Sequence, residues 1–233
     1  NFDPYEKYKN LPDLTMSELL SLEKKSLGYY LSGHPVDAIG GKIEKLRSRK
    51  IGDITNDIKK ASLVCLINSA RQIKDRKGNP LTFINFDDGS GVMDGVVASD
   101  TLETCHGILK EGSILILKGS IELDDYKSKD LGDAMYRMRV REVDSLDTEL
   151  ERKVREVMIN IEKSDISSLD TLSEKLGEIK DDFWMHGSCQ LNIKVKTGES
   201  EAIISAGEKF KFLPTLINLT YLEEIFGTSA LEI

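Results

Sequence analysis

The sequence predicts an α+β chain of three parts: an N-terminal helical segment, a five-stranded β-barrel and a small C-terminal α+β domain. Three observations carry this. Apolar residues follow a helical period to about residue 47, then alternate with period two from residue 62. Between 62 and 143 the elements read strand, strand, strand, helix, strand, strand. The charge of −8 is unevenly placed: 10 basic and 9 acidic side chains in 1–59, 12 and 14 in 60–144, and 10 and 17 in 145–233. The expected domains are therefore 1–59, 60–145 and 146–233.

Residues 17–31 read as an amphipathic helix with Leu19, Leu20, Leu22, Leu27, Tyr30 and Leu31 near one face and Ser17 as cap. Ser32-Gly33-His34-Pro35 breaks it, and Pro35 opens a second helix running to about Arg47. Residues 48–60 read as a connector. The barrel strands are 62–73, 81–86, 92–98, 113–123 and 134–143, with a helix at 99–109 presenting Leu102, Cys105, His106 and Leu109 on one side. Five short strands with a helix between the third and fourth is the order of the OB-fold. A charged stretch (145–155) leads to a strand at 156–161, a helix at 167–176, strands at 190–196 and 202–206, a helix at 213–226 and a short tail.

Composition excludes several classes. Hydrophobic content of 39% with 31% charged residues describes a folded chain. No apolar run approaches the roughly 18 residues that span a bilayer, and no signal peptide opens the chain. A start at Asn1-Phe2 suggests a piece of something longer. Cys65, Cys105 and Cys189 lie 40 and 84 residues apart, which excludes CxxC patterns; Cys65 reads as a buried thiol, and the setting as reducing and cytoplasmic. Asp87-Asp88 with Gly89-Ser90-Gly91 and nearby Asp94 reads as turn chemistry rather than a metal site. No P-loop, HExxH or GxSxG motif is present, the three histidines are scattered, and no carboxylate set has catalytic spacing, so neither an active site nor a cofactor is expected.

OB barrels hold nucleic acid on the outer face of strands two and three, flanked by the first hairpin loop and the loop between strands four and five. Both loops are basic. Arg71, Lys74, Arg76 and Lys77 crowd the first, and Lys127 and Lys129 accompany Tyr126 in the other. Arg137, Arg139 and Arg141 alternate along the fifth strand and are expected on one face. If Phe86 is core, Phe83 points outward and can stack on a base; the reversed assignment buries Phe83. Single-stranded nucleic acid is the expected ligand, with a barrel acting only as a protein-interaction platform as the alternative.

Leu27-Gly28-Tyr29-Tyr30-Leu31-Ser32-Gly33-His34-Pro35, preceded by Glu23-Lys24-Lys25, resembles the segment before the OB domain in the α subunit family of bacterial DNA polymerase III. Lys77-Gly78-Asn79, Asp87 to Gly91 and Leu109-Lys110-Glu111-Gly112 before Ile114-Leu115-Ile116 continue the likeness, which weakens toward the C-terminus. The resemblance implies a non-catalytic C-terminal portion of a DNA-directed DNA polymerase. It implies that the catalytic aspartates and the sliding-clamp-binding peptide lie upstream: residues 1–20 hold no match to that peptide, and Gln190-Leu191-Asn192-Ile193 lacks its aromatic end. It further implies that the acidic C-terminal domain docks the clamp-loader τ subunit through 213–233, with Leu216, Leu219, Tyr221, Leu222, Ile225 and Phe226 as contacts.

Overall fold

The computed structural model describes residues 14–74, 78–105, 107–125, 128–129, 134–162, 167–179, 181–184, 187–197, 200–227 and 229–233. At its centre β1 (Lys60–Lys74), β2 (Pro80–Asp87), β3 (Val92–Ala98), β4 (Ile114–Leu123) and β5 (Tyr136–Ser145) close into a barrel of order β1-β2-β3-β5-β4. All neighbours are antiparallel except β3 and β5, which run parallel. This is the OB-fold.

Strand alternation builds the barrel core. Ala61, Leu63, Cys65 and Ile67 of β1 point inward to meet Ile84, Phe86, Met93, Val97, Leu117, Met138 and Val140. The register shift between Ile67 and Ser69 divides the long β1: Lys60–Leu66 pairs with β4, and Leu66–Lys74 pairs with β2. The Cys65 thiol is fully enclosed, and burial pushes its pKa well above the ordinary thiol value.

Three outward residues of the β1–β4 side are covered rather than exposed. Val64, Leu66 and Ile116 belong to a second core with Val36, Ile39, Ile43 and Leu46 from the N-terminal segment. The same core includes Leu150, Val157, Leu191, Phe212, Leu219 and Leu222 from the C-terminal part. There α4 (Leu146–Lys153) leads into a sheet of order β10-β6-β7-β8, made of β6 (Glu156–Glu162), β7 (Cys189–Thr197), β8 (Ser200–Ser205) and β10 (Leu231–Glu232), with β9 (Lys211–Phe212) also on β7. β6 and β7 run parallel, joined through α5 (Ser167–Glu178) and α6 (Asp181–Trp184). Phe183 stacks on Phe212, and Trp184 meets Phe210 edge-on. α7 (Leu216–Phe226) closes this unit, capped by Thr215 after Pro214. Among the described residues no helix is long and apolar enough to cross a membrane.

Several expectations are corrected. α1 spans Met16–Leu27, not 17–31. Thr15 caps it in a reciprocal box with Glu18, and Gly28 ends it in the left-handed conformation. Leu20 is therefore the one leucine of α1 that is buried, while Leu22, Leu27 and Leu31 are exposed. The second helix shrinks to α2 (Pro35–Ala38) and a 3-10 turn at Gly40–Ile43, because Gly40 takes φ +73°. Residues 48–60 are not a free connector: Ile51 and Ile54 enter the barrel core. The helix after β3, α3, covers only Ser99–Thr104. The C-terminal tail supplies β10, which pairs with β6.

Candidate nucleic-acid interface

The exposed side of β2, β3 and β5 is organised in rows across the strands. Residues paired directly across a ladder point the same way. Arg71 lies opposite Phe83, Phe83 opposite Val96, and Val96 opposite Arg139. One row therefore reads Arg71, Phe83, Val96, Arg139, a cation at each end of an apolar middle. Phe86 is fully buried and Phe83 is 45% exposed, which resolves the two assignments in favour of an outward Phe83. A shallow cleft of about 210 Å³ lies here, its exposed apolar surface coming from Leu81, Phe83 and Val96. Arg137, Arg139 and Glu122 form its polar rim.

The next row has a different character. Asn85 lies opposite Asp94, and Asp94 opposite Arg137. The Asn85 amide donates to Asp94 at 2.7 Å, and Arg137 pairs with Glu122 at 3.6 Å. Asn68 donates to Asp87 at 2.6 Å and to Asn85 at 3.2 Å. Charges in this row are thus largely satisfied within the protein. Arg71 and Arg139, by contrast, have no ion-pair partner among the described residues.

The structure brings together Arg71, Phe83, Arg137 and Arg139 from the expected set. Lys74 is exposed but projects from the opposite face of β1, three positions beyond Arg71. Lys129 is exposed on the β4–β5 connector. Arg76, Lys77, Tyr126 and Lys127 lie outside the described residues. Arg141 corrects the expectation of three arginines on one face. The β4–β5 pairing slips between Lys118 and Gly119, so Arg141 sits at a bulge and lines a separate cleft. Leu81 and Val96 were missed; strand alternation marks both as outward once Phe86 and Val97 are assigned to the core.

The partner-contact set also needs correction. Leu219 and Leu222 are completely buried, and Leu216, Ile225 and Phe226 pack half-buried against the same core. Tyr221 is 37% exposed, and Ile217, absent from the expected set, is 77% exposed one turn before it.

The two sequence motifs meet in space. His34 caps α2 by accepting from the Val36 N–H at 3.2 Å, while its other ring nitrogen lies against the Asp87 carboxylate. Asp88 is buried and accepts from the Ile51 N–H at 2.8 Å, and Ser90 Oγ accepts from the Gly52 N–H at 3.0 Å. Gly89 adopts φ +82°, and a Cβ there would lie 3.0 Å from His34. The Asp87–Gly91 turn thus fastens the N-terminal segment to the end of β2.

Residues 63–146 match the family described as OB-fold nucleic acid binding domain. The chain is 25% identical over 226 residues to DNA polymerase III subunit alpha of Pseudomonas aeruginosa, a match covering 97% of the chain and 18% of the relative. For the Haemophilus influenzae subunit the figures are 25% over 230 residues, 97% and 19%. The chain is homologous to the DNA polymerase III α subunit. It spans about a fifth of the length of these relatives. Among solved structures, the SSB domain of a Synechococcus protein shares 8% identity at a TM-score of 0.31, covering 39% of this chain and 99% of that one.

Proposed function

We propose that this chain is a non-catalytic part of a replicative DNA polymerase whose barrel holds single-stranded template on the β2–β3–β5 face. The observation that carries the reading is the row Arg71, Phe83, Val96, Arg139: an exposed aromatic between two arginines with no ion-pair partner among the described residues. A base stacks on any aromatic face regardless of sequence, and flanking guanidiniums neutralise its phosphates. The homology to a DNA polymerase subunit and the OB-fold nucleic acid binding family match support the same ligand. The free, buried thiols suit a reducing, cytoplasmic setting. Fluorescence anisotropy with a labelled single strand tests this. Phe83→Ala should cost roughly 1–3 kcal/mol of binding, a loss of about 5- to 150-fold, and Arg139→Glu should weaken binding and flatten its salt dependence. Unchanged affinity in both variants, with τ binding retained, would favour a protein-interaction platform instead.

The C-terminal unit, with its excess of acidic residues, is proposed to dock the clamp-loader τ subunit. The contact is assigned to Ile217 and Tyr221, the exposed apolar pair on α7, and not to the buried Leu219 and Leu222. Ile217→Lys should weaken τ binding at least about tenfold in surface plasmon resonance, as expected for an apolar anchor, without lowering the melting temperature. Full τ affinity in that variant would remove α7 from the interface.

A further inference from the structure

A second cleft, of about 610 Å³, opens between the start of β1 and the β4–β5 bulge. Its floor is made of small residues. Ala61 and Gly119 lie there, and Gly119 must lack a side chain because a Cβ would sit 2.2 Å from the Arg139 carbonyl oxygen. Hydroxyls of Ser48, Ser62 and Ser120 line the walls. Residues 46–48 are pinned to β1: the Ser48 N–H donates to the Ser62 carbonyl at 2.8 Å, and Ser62 Oγ donates to the Leu46 carbonyl at 3.1 Å. That docking places the basic run that follows, Arg49 and Lys50, beside the cleft.

The charge around this cleft runs against the acidity of the whole chain. Residues 42–60, which lead into the cleft and supply Ser48 and Lys60 to its lining, carry seven basic and three acidic side chains, with Lys42 paired to Glu223 and Arg47 to Glu44. Lys60 and Arg141 line the opening, and neither they nor Lys45, Arg49 and Lys50 have an ion-pair partner among the described residues; all five are exposed. The one acidic residue lining the cleft, Glu142, is paired with Lys118 at 3.3 Å. No aromatic side chain lines it.

We infer that this cleft is a second nucleic-acid contact that grips the phosphate backbone alone. Unpaired cations strung along an edge suit a polyanion better than a single small anion. With no ring to stack on, such a surface gains nothing from unpaired bases, so it takes duplex as readily as single strand. The assignment is independent of the Phe83 face, which requires an exposed base.

Anisotropy of the full chain with a labelled random-sequence duplex, titrated over salt, tests this. Lys60→Glu/Arg141→Glu and, separately, Arg49→Glu/Lys50→Glu should each lower duplex affinity at least about tenfold. Each should also reduce the log–log salt slope by about 2, near 0.9 per lost phosphate contact. Phe83→Ala should weaken single-strand binding yet leave duplex binding unchanged, which separates the two sites. Duplex affinity untouched by both double reversals would overturn the inference. So would an equal loss in Phe83→Ala, or binding to anionic phospholipid vesicles with none to duplex at low salt.

Discussion

Phe83 faces water because its neighbours in β2 cannot. Thr82, Ile84 and Phe86 are buried, so alternation leaves Phe83 outside with Leu81 and Asn85. The sequence offered both assignments, since each face of 81–86 carries one phenylalanine; only the pairing of Phe86 with Met93 in the barrel core decides between them. Other side chains bear on stability instead. Lys118 meets the fully buried Glu149, with Asp144 at 3.1 Å, and Arg152 reaches Glu149 at 2.6 Å. Burial draws the Lys118 pKa down, but hydrogen bonds to Glu149 and Asp144 outweigh it and leave it raised. Burial pushes Asp144 up, but Lys118 and Arg152 hold it below its ordinary value. Asp144 therefore stabilises the fold above its unfolded pKa of about 4 and loses that contribution as pH falls through its lower folded value. Lys118 contributes fully below about pH 10.4 and loses this as pH rises past its raised value. Lys118→Ala strands a buried carboxylate; with Arg152 still present, we expect a loss of roughly 2–3 kcal/mol in urea unfolding at pH 7. That deficit should shrink as pH falls below about 4 and through the lowered folded value of Asp144, where protonation removes its pairing with Lys118 in the wild type.

At the scale of elements, legibility followed periodicity. The barrel strands read clearly because alternation repeats five times, and each real strand lies within a few residues of its expected range. The N-terminal segment read poorly. Its leucines follow a helical period across Gly28, but Gly28 turns left-handed and the helix stops. β10 was invisible because two residues carry no period, and only pairing with β6 makes them a strand. The His34-Pro35 and Asp87–Gly91 motifs were recognisable, yet their contact joins residues more than 50 positions apart and could not be read from either alone. That junction tolerates little change. Gly89→Ala combines a left-handed φ with a crowded His34, so we expect about 2 kcal/mol of destabilisation by chemical denaturation. Gly78→Ala, at φ +87° but with open space around it, should cost about half as much.

For the molecule as a whole, the barrel is one wall of a larger core. Val64, Leu66 and Ile116 turn outward from it and are covered by residues on both sides of it in sequence. Excising 60–145 would expose all three; at roughly 1.5–3 kcal/mol per buried aliphatic side chain, about 5–9 kcal/mol of stability should be lost. A thermal melt of that fragment should fall far below that of the full chain. This same burial leaves the β2–β3–β5 face as the open side of the barrel, where the ligand is proposed to sit. The most direct test is photocrosslinking of the full chain to a single strand carrying iodouracil, which couples to the aromatic ring it stacks on, with the adduct mapped by mass spectrometry. We expect the adduct on Phe83, and its loss in Phe83→Leu. Adducts confined to aromatic residues off this face, such as Tyr29 or Tyr221, with a yield indifferent to Phe83→Leu, would contradict the assignment of the interface.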